Sequence, residues 1–183
     1  MEGNPTRLKN KGEIHSNIYQ MVAKNGQERM TSFADQRADL MDEGKAAITH
    51  YRWLQQHRNN KERCKLSLME LRPLTGRTHQ IRVHLAEQLG MPVLGDYRYG
   101  QAAPRRDPNR CVHHKDLPLH LHSYHLLLRD WHCPGKHLDL HAPIPKHFIE
   151  TMDKHPLKLR DLPNFVKEQQ KFNERRGVRR YYK

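Results

Sequence analysis

A chain of 183 residues with 36% hydrophobic content can bury one modest core, which excludes two independent domains and predicts one domain with tails. Lysine and arginine number 33 against 20 acidic residues, and a net charge of +13 is easiest to maintain beside a polyanion, so nucleic acid is the expected partner and a basic but unbound surface the alternative. The cysteines, Cys64, Cys111 and Cys133, are odd in number and lack CxxC spacing, which argues against a disulfide framework and for a reducing compartment; no run is long and apolar enough to cross a bilayer, so no membrane partner is expected.

Residues 1–44 are polar, with Gly12–Val22 (GEIHSNIYQMV) as the only strand-like piece. In AAITHYRWLQQ, Ala47, Thr49, Tyr51 and Trp53 alternate with Ile48, His50, Arg52 and Leu54, which predicts a strand. NNKE at Asn59–Glu62 predicts a hairpin turn, and CKLSLMELRP, ending at Pro73, predicts the antiparallel partner. Thr75-Gly76 then makes a turn, Thr78 is placed to N-cap, and Ile81, Leu85 and Leu89 recur at four-residue spacing until Gly90 ends a helix. After a basic, Pro-containing loop at 101–116, LPLHLHSYHLLLRDW (117–131) predicts a long strand, CPGK a turn, HLDLHAPIP (137–145) a second strand and PKHFIETM (145–152) a short helix. The tail from Asn164 carries Lys167, Lys171, Arg175, Arg176, Arg179, Arg180 and Lys183 against Glu168 and Glu174. Phe165, Phe172, Tyr181 and Tyr182 interleave these cations as in segments that order on RNA, although a solvated charge run is the alternative. The expected organisation is a domain over 1–152 and a basic tail over 153–183.

Polar residues collect where LTGRTHQIRVHL (Leu74–Leu85) turns into the helix. Unpaired amides at a helix start favour anions, and Arg77, His79 and Arg82 add cations that oppose helix stability there, so a purpose other than folding is expected: an RNA-facing site. Gln80 and His84 supply donors and acceptors for a base edge or ribose. No GxxxxGK[ST] is present, which excludes a P-loop. Histidines are dense at His113, His114, His120, His122, His125, His132, His137 and His141, and His120 and His122 would share one strand face. Strand patterning accounts for the alternation LHLHSYHLLL, so no metal site is expected.

LRPLTGRTHQIRVHLAEQLGMPVLGDYRYG closely resembles the signature of RluA-type RNA pseudouridine synthases, which runs P-x-T-G-R-T-H-Q-I-R-V-H-L and then G-x-P-I-x-G-D-x-x-Y-G. GKAAITHYRWL resembles the family's K-x-A-x-T-x-Y strand, LPLHLHSYHLLL resembles its later L-H-A-x-x-L strand, and the likeness covers roughly Gly12 to Met152, leaning toward mitochondrial members. The resemblance implies an α+β fold: a mixed, mainly antiparallel sheet with flanking helices, as in the C-terminal part of the catalytic domain. Such a partial sheet would leave an open edge for RNA, a ribosomal protein or another protein partner. It implies isomerisation of uridine to pseudouridine in ribosomal or mitochondrial RNA without metal or organic cofactor, and a mitochondrial, otherwise cytoplasmic, location. Tyr51 matches the tyrosine that stacks on uracil, Arg82 matches the arginine that pairs with the nucleophilic aspartate, and Lys45 opens the same strand as Tyr51. The family's aspartate sits in an H-R-L-D-x-x-T-S-G motif upstream of a G-x-I strand, and nothing in residues 1–44 resembles it. Asp39 lies downstream of that strand, and Asp96 matches a structural family position. Two expectations follow: a synthase domain whose aspartate comes from further sequence, or a non-catalytic, ribosome-associated RNA-binding protein of the same descent.

Overall fold

The protein is described from a computed structural model, which covers residues 9–22, 26–33, 39–40, 43–59, 64–100 and 117–155. These fall into two compact units, one ending at Leu119 and the other beginning at His120.

The first unit is built on an antiparallel sheet of β1 (Lys11–Val22), β2 (Glu28–Thr31), β3 (Asp39–Leu40), β4 (Lys45–Asn59) and β5 (Cys64–Pro73), in the order β2-β1-β4-β5 with β3 also pairing β1. The alternation in AAITHYRWLQQ is the cause: Ala47, Thr49 and Tyr51 bury one face of β4, and Ile14 and Ile18 bury the same face of β1, where Ile14 opposes Thr49 and Ile18 opposes Lys45. The β4–β5 hairpin forms as expected, with a register shift between Trp53 and Gln55; most of its predicted turn, Asn60 to Glu62, lies outside the described residues. Among the described residues β5 pairs only with β4, so its outer edge is open.

Helical chain covers the buried face. It consists of α1 (Gln80–Val83) running straight into a π-helical turn (His84–Gln88), where the Leu89 amide donates to the His84 carbonyl at 3.3 Å. Val83 and Ala86 meet Ile18, Ala47 and Tyr99 in the core, with Met30 packed against them. The helix ends at Gly90 as predicted, in a left-handed conformation (φ 65°). Its start differs from the prediction. The N-cap is His79, left-handed at φ 55°, and no side chain caps from Thr78. Instead the Gln80 side-chain carbonyl reaches back to accept from the Arg77 amide (3.0 Å) and the Thr75 hydroxyl (2.7 Å), so the entry is already fixed. Gly95, at φ 79°, lets the following turn pass the Pro118 carbonyl, with which any Cβ would collide.

The second unit contains a two-stranded antiparallel sheet, β6 (His125–Leu128) and β7 (Leu138–His141), and the helix α2 (Lys146–Lys154). The long strand predicted over 117–131 shrinks to β6. Ahead of it, His120 and His122 hydrogen-bond the Thr151 hydroxyl (2.9 Å) and the Ala142 carbonyl (3.4 Å) and pack on Phe148, so they do not share a strand face. Beyond it, left-handed Asp130 and His132 turn the chain back. The second strand stops at His141 because Pro143 and Pro145 have no amide to donate. The predicted α+β class, with a mainly antiparallel sheet and flanking helices, is the class observed.

Candidate functional site

Arg82 is held on two sides. Its Nε donates to Asp96 Oδ2 and one Nη to Asp96 Oδ1, both at 2.8 Å, a bidentate pair in which the carboxylate is fully buried and the arginine side chain 16% exposed. Its guanidinium carbon lies 4.9 Å from the centroid of the Tyr99 ring, and that of Arg29 lies 5.2 Å from the same ring. Asp96 also accepts from the amides of Arg98 (3.1 Å) and Tyr99 (3.0 Å), which shapes the GDYRYG turn around the arginine. Burial alone would raise the Asp96 carboxyl; the guanidinium and the two amides outweigh it and hold the group below its usual range. The hydrogen bonds to Asp96 in turn keep Arg82 protonated against its own burial. The bidentate grip uses Nε and one Nη, leaving the other Nη for a second acceptor.

Around this pair the predicted residues divide into two groups. Gln80 and His84 are buried and bonded internally. The Gln80 amide donates to the Ile48 carbonyl (2.9 Å) and Thr49 hydroxyl (3.0 Å), and His84 bridges Ser16 Oγ and Thr49 Oγ1 at 3.0 Å each. They bolt the helix to β1 and β4. Arg77 and Lys45 are exposed, although Arg77 Nε is anchored on the Ala46 carbonyl at 3.0 Å. His79 is half-buried with Nδ1 2.9 Å from the Tyr99 hydroxyl; burial, then Arg82 and Arg98, push it toward the neutral form. Burial likewise lowers His84. Arg175, Arg176, Arg179 and Arg180 lie outside the described residues.

Tyr51 is on the helix-covered face of β4, opposite Gly12 of β1 and 8% exposed. A Cβ at position 12 would stand 2.7 Å from its hydroxyl oxygen, so only glycine lets the ring lie flat across β1. Asp39 is in β3, opposite Val22.

Residues 6–87 match the family model for RNA pseudouridylate synthase. A mitochondrial pseudouridylate synthase of Danio rerio is 36% identical over 122 residues, covering 58% of this chain and 31% of the relative. Ribosomal large subunit pseudouridine synthase C of Rickettsia prowazekii is 34% identical over 145 residues, covering 79% and 40%. The chain belongs to the RNA pseudouridylate synthase family. It spans less than half the length of these two relatives, 31% and 40%. The solved structure titled human RNA pseudouridylate synthase domain containing 1 superposes with a TM-score of 0.57 at 25% identity, over 79% of this chain and 51% of that one.

Within this family member, three residues that reading by spacing did not promote organise the site. Asp96 grips Arg82, Tyr99 floors it, and Glu87 ties the π turn to β2 by accepting from Arg29 (3.1 Å), Thr31 (2.9 Å) and Ser32. The aspartate and tyrosine stand in the GDYRYG motif, which is the signal that could have found them.

Proposed function

We propose that this domain binds a uridine in ribosomal or mitochondrial RNA and contributes the platform and the cation of a pseudouridine synthase site. The reaction breaks the N1–C1′ bond, turns the uracil and forms a C5–C1′ bond, with the C5 proton lost and N1 protonated. Tyr51 is the stacking face for the base, and the unused Nη of Arg82 orients and keeps ionised the carboxylate that acts at C1′. Asp96 is not that carboxylate, because it is buried and already occupied by Arg82. Lys45, Arg77 and His79 line the approach of the RNA backbone, while Gln80 and His84 act by positioning. The observation that carries this reading is the bidentate Arg82–Asp96 pair, which fixes a cation in place within a family signature that accepts a second carboxylate. By the mitochondrial relatives, the location proposed is the mitochondrion.

The test is to delete the gene and map pseudouridine across ribosomal and mitochondrial RNA by carbodiimide adducts and primer extension. Loss of at least one pseudouridine, restored by the wild-type gene and not by Arg82→Lys, is expected. A full set of pseudouridines in the deletion strain, with the purified chain still binding ribosomal or mitochondrial RNA, would replace this reading by the non-catalytic one. That second reading is favoured by one observation: the net charge of +13, which RNA binding alone would account for.

A further inference from the structure

The hairpin of β6 and β7 carries a side-chain cluster that RNA modification does not use. His125 and His141 oppose each other across the ladder, and Asp139, two residues before His141, lies on the same face. The two imidazoles stack with centroids 4.5 Å apart and planes 5° from parallel. A single oxygen, Asp139 Oδ1, sits 2.9 Å from His125 Nε2 and 2.8 Å from His141 Nε2. Among the described residues, no other group of three His, Cys, Asp or Glu side chains brings its ligand atoms within 4.8 Å of one another. Glu13 also lies between two histidines, but it meets His15 (2.8 Å) and His50 (3.1 Å) with different oxygens.

We propose that His125, Asp139 and His141 form a zinc site that clamps β6 to β7, with water completing the coordination. Two imidazole nitrogens and one carboxylate oxygen are a zinc donor set that leaves a position open. Donor atoms bonded at about 2.0–2.1 Å in a tetrahedron stand about 3.3 Å apart, so Asp139 has only to draw back by about half an ångström from each ring. All three side chains are exposed enough to make that adjustment. Hydrogen bonding alone accounts poorly for the convergence, because exposed ion pairs contribute little and two stacked imidazoles repel once both are protonated. The hairpin also needs a clamp: each strand has four residues, most of them exposed, and a two-stranded hairpin of that size is marginal in water. Zinc binding would stabilise the hairpin through the free energy of coordination. The inference is independent of the role proposed for Tyr51 and Arg82.

The full chain, stripped of metal with a chelator, is titrated with zinc chloride by calorimetry beside His141→Ala, Asp139→Asn and His15→Ala. Amide hydrogen exchange across residues 125–141 is followed with and without zinc. Wild type and His15→Ala are expected to bind one zinc equivalent that His141→Ala and Asp139→Asn lose or bind more than about tenfold more weakly. Zinc is expected to slow exchange in the hairpin only in the first two proteins. Asp139→Asn is nearly isosteric, so its loss of the equivalent reports on ligation even if His141→Ala disturbs the hairpin. Identical isotherms in all four proteins, no zinc binding by wild type, or binding that leaves hairpin exchange unchanged would each overturn the proposal.

Discussion

Arg82 shows how one side chain becomes a fixed tool: a bidentate carboxylate on its edge and an aromatic ring on its face leave it one orientation. Removing either partner strands a buried charge, so Arg82→Ala and Asp96→Asn are each expected to cost about 3–5 kcal/mol in urea unfolding. The double variant should cost less than the sum, since the second change removes a charge already stranded. Additive costs would mean that the pair is not the unit described. Gly12 gives a cleaner view of Tyr51. Gly12→Ala is expected to push the ring off β1 and weaken binding to a uridine-bearing RNA loop by about 1–3 kcal/mol, measured by fluorescence anisotropy. Its unfolding midpoint should move far less than that of Arg82→Ala, because no polar group is left buried and unpaired. Neither role can be read from spacing alone. Asp96 lies fourteen residues from Arg82 and Gly12 faces Tyr51 across two strands, so only the folded turn and ladder bring them together.

The helical segment is tied to the sheet by buried polar side chains at three points, through Gln80, His84 and Glu87. His79 and His84 titrate below their ordinary range, mainly because of burial. The unfolded chain therefore takes up protons near pH 6.5 before the folded one does, so stability is complete above that pH and falls as pH drops through the folded-state values. Asp96, also depressed, adds its loss only below about pH 4. Urea unfolding between pH 7.5 and 5 should show declining stability in wild type and a shallower decline in His84→Gln; equal slopes would assign the dependence elsewhere. In the first unit β1, β4 and β5 were legible because one buried face imposes a period of two; β2 and β3, four and two residues long, were missed because so few residues show no period. The helix start was not, since Gln80 reaching backward made a Thr78 cap unnecessary. The strand over 117–124 also failed: among the described residues that stretch joins no strand, and its histidines contact Thr151, Ala142 and Phe148 instead.

For the molecule as a whole, the charge of +13 is expected to make the proposed RNA affinity fall with salt. The tail lies outside the described residues, yet its seven cations from Lys167 to Lys183 make a quantitative expectation possible. Deleting 164–183 should flatten the logarithmic salt slope by several units, at about 0.7 per single-strand phosphate neutralised; an unchanged slope would mean that the tail stays in solvent. Arg77→Ala should lower the slope by about one unit on every RNA alike. The claim on which the account turns is that Tyr51 receives a uridine base while surrounding cations hold the backbone. It is tested most directly by titrating a uridine-loop RNA into wild type, Tyr51→Phe and Tyr51→Leu over a range of salt, with thermal unfolding of each protein measured in parallel. The account predicts that Tyr51→Phe binds like wild type, and that Tyr51→Leu remains folded but loses about 1–3 kcal/mol of affinity at an unchanged salt slope. Full affinity in a folded Tyr51→Leu would contradict it.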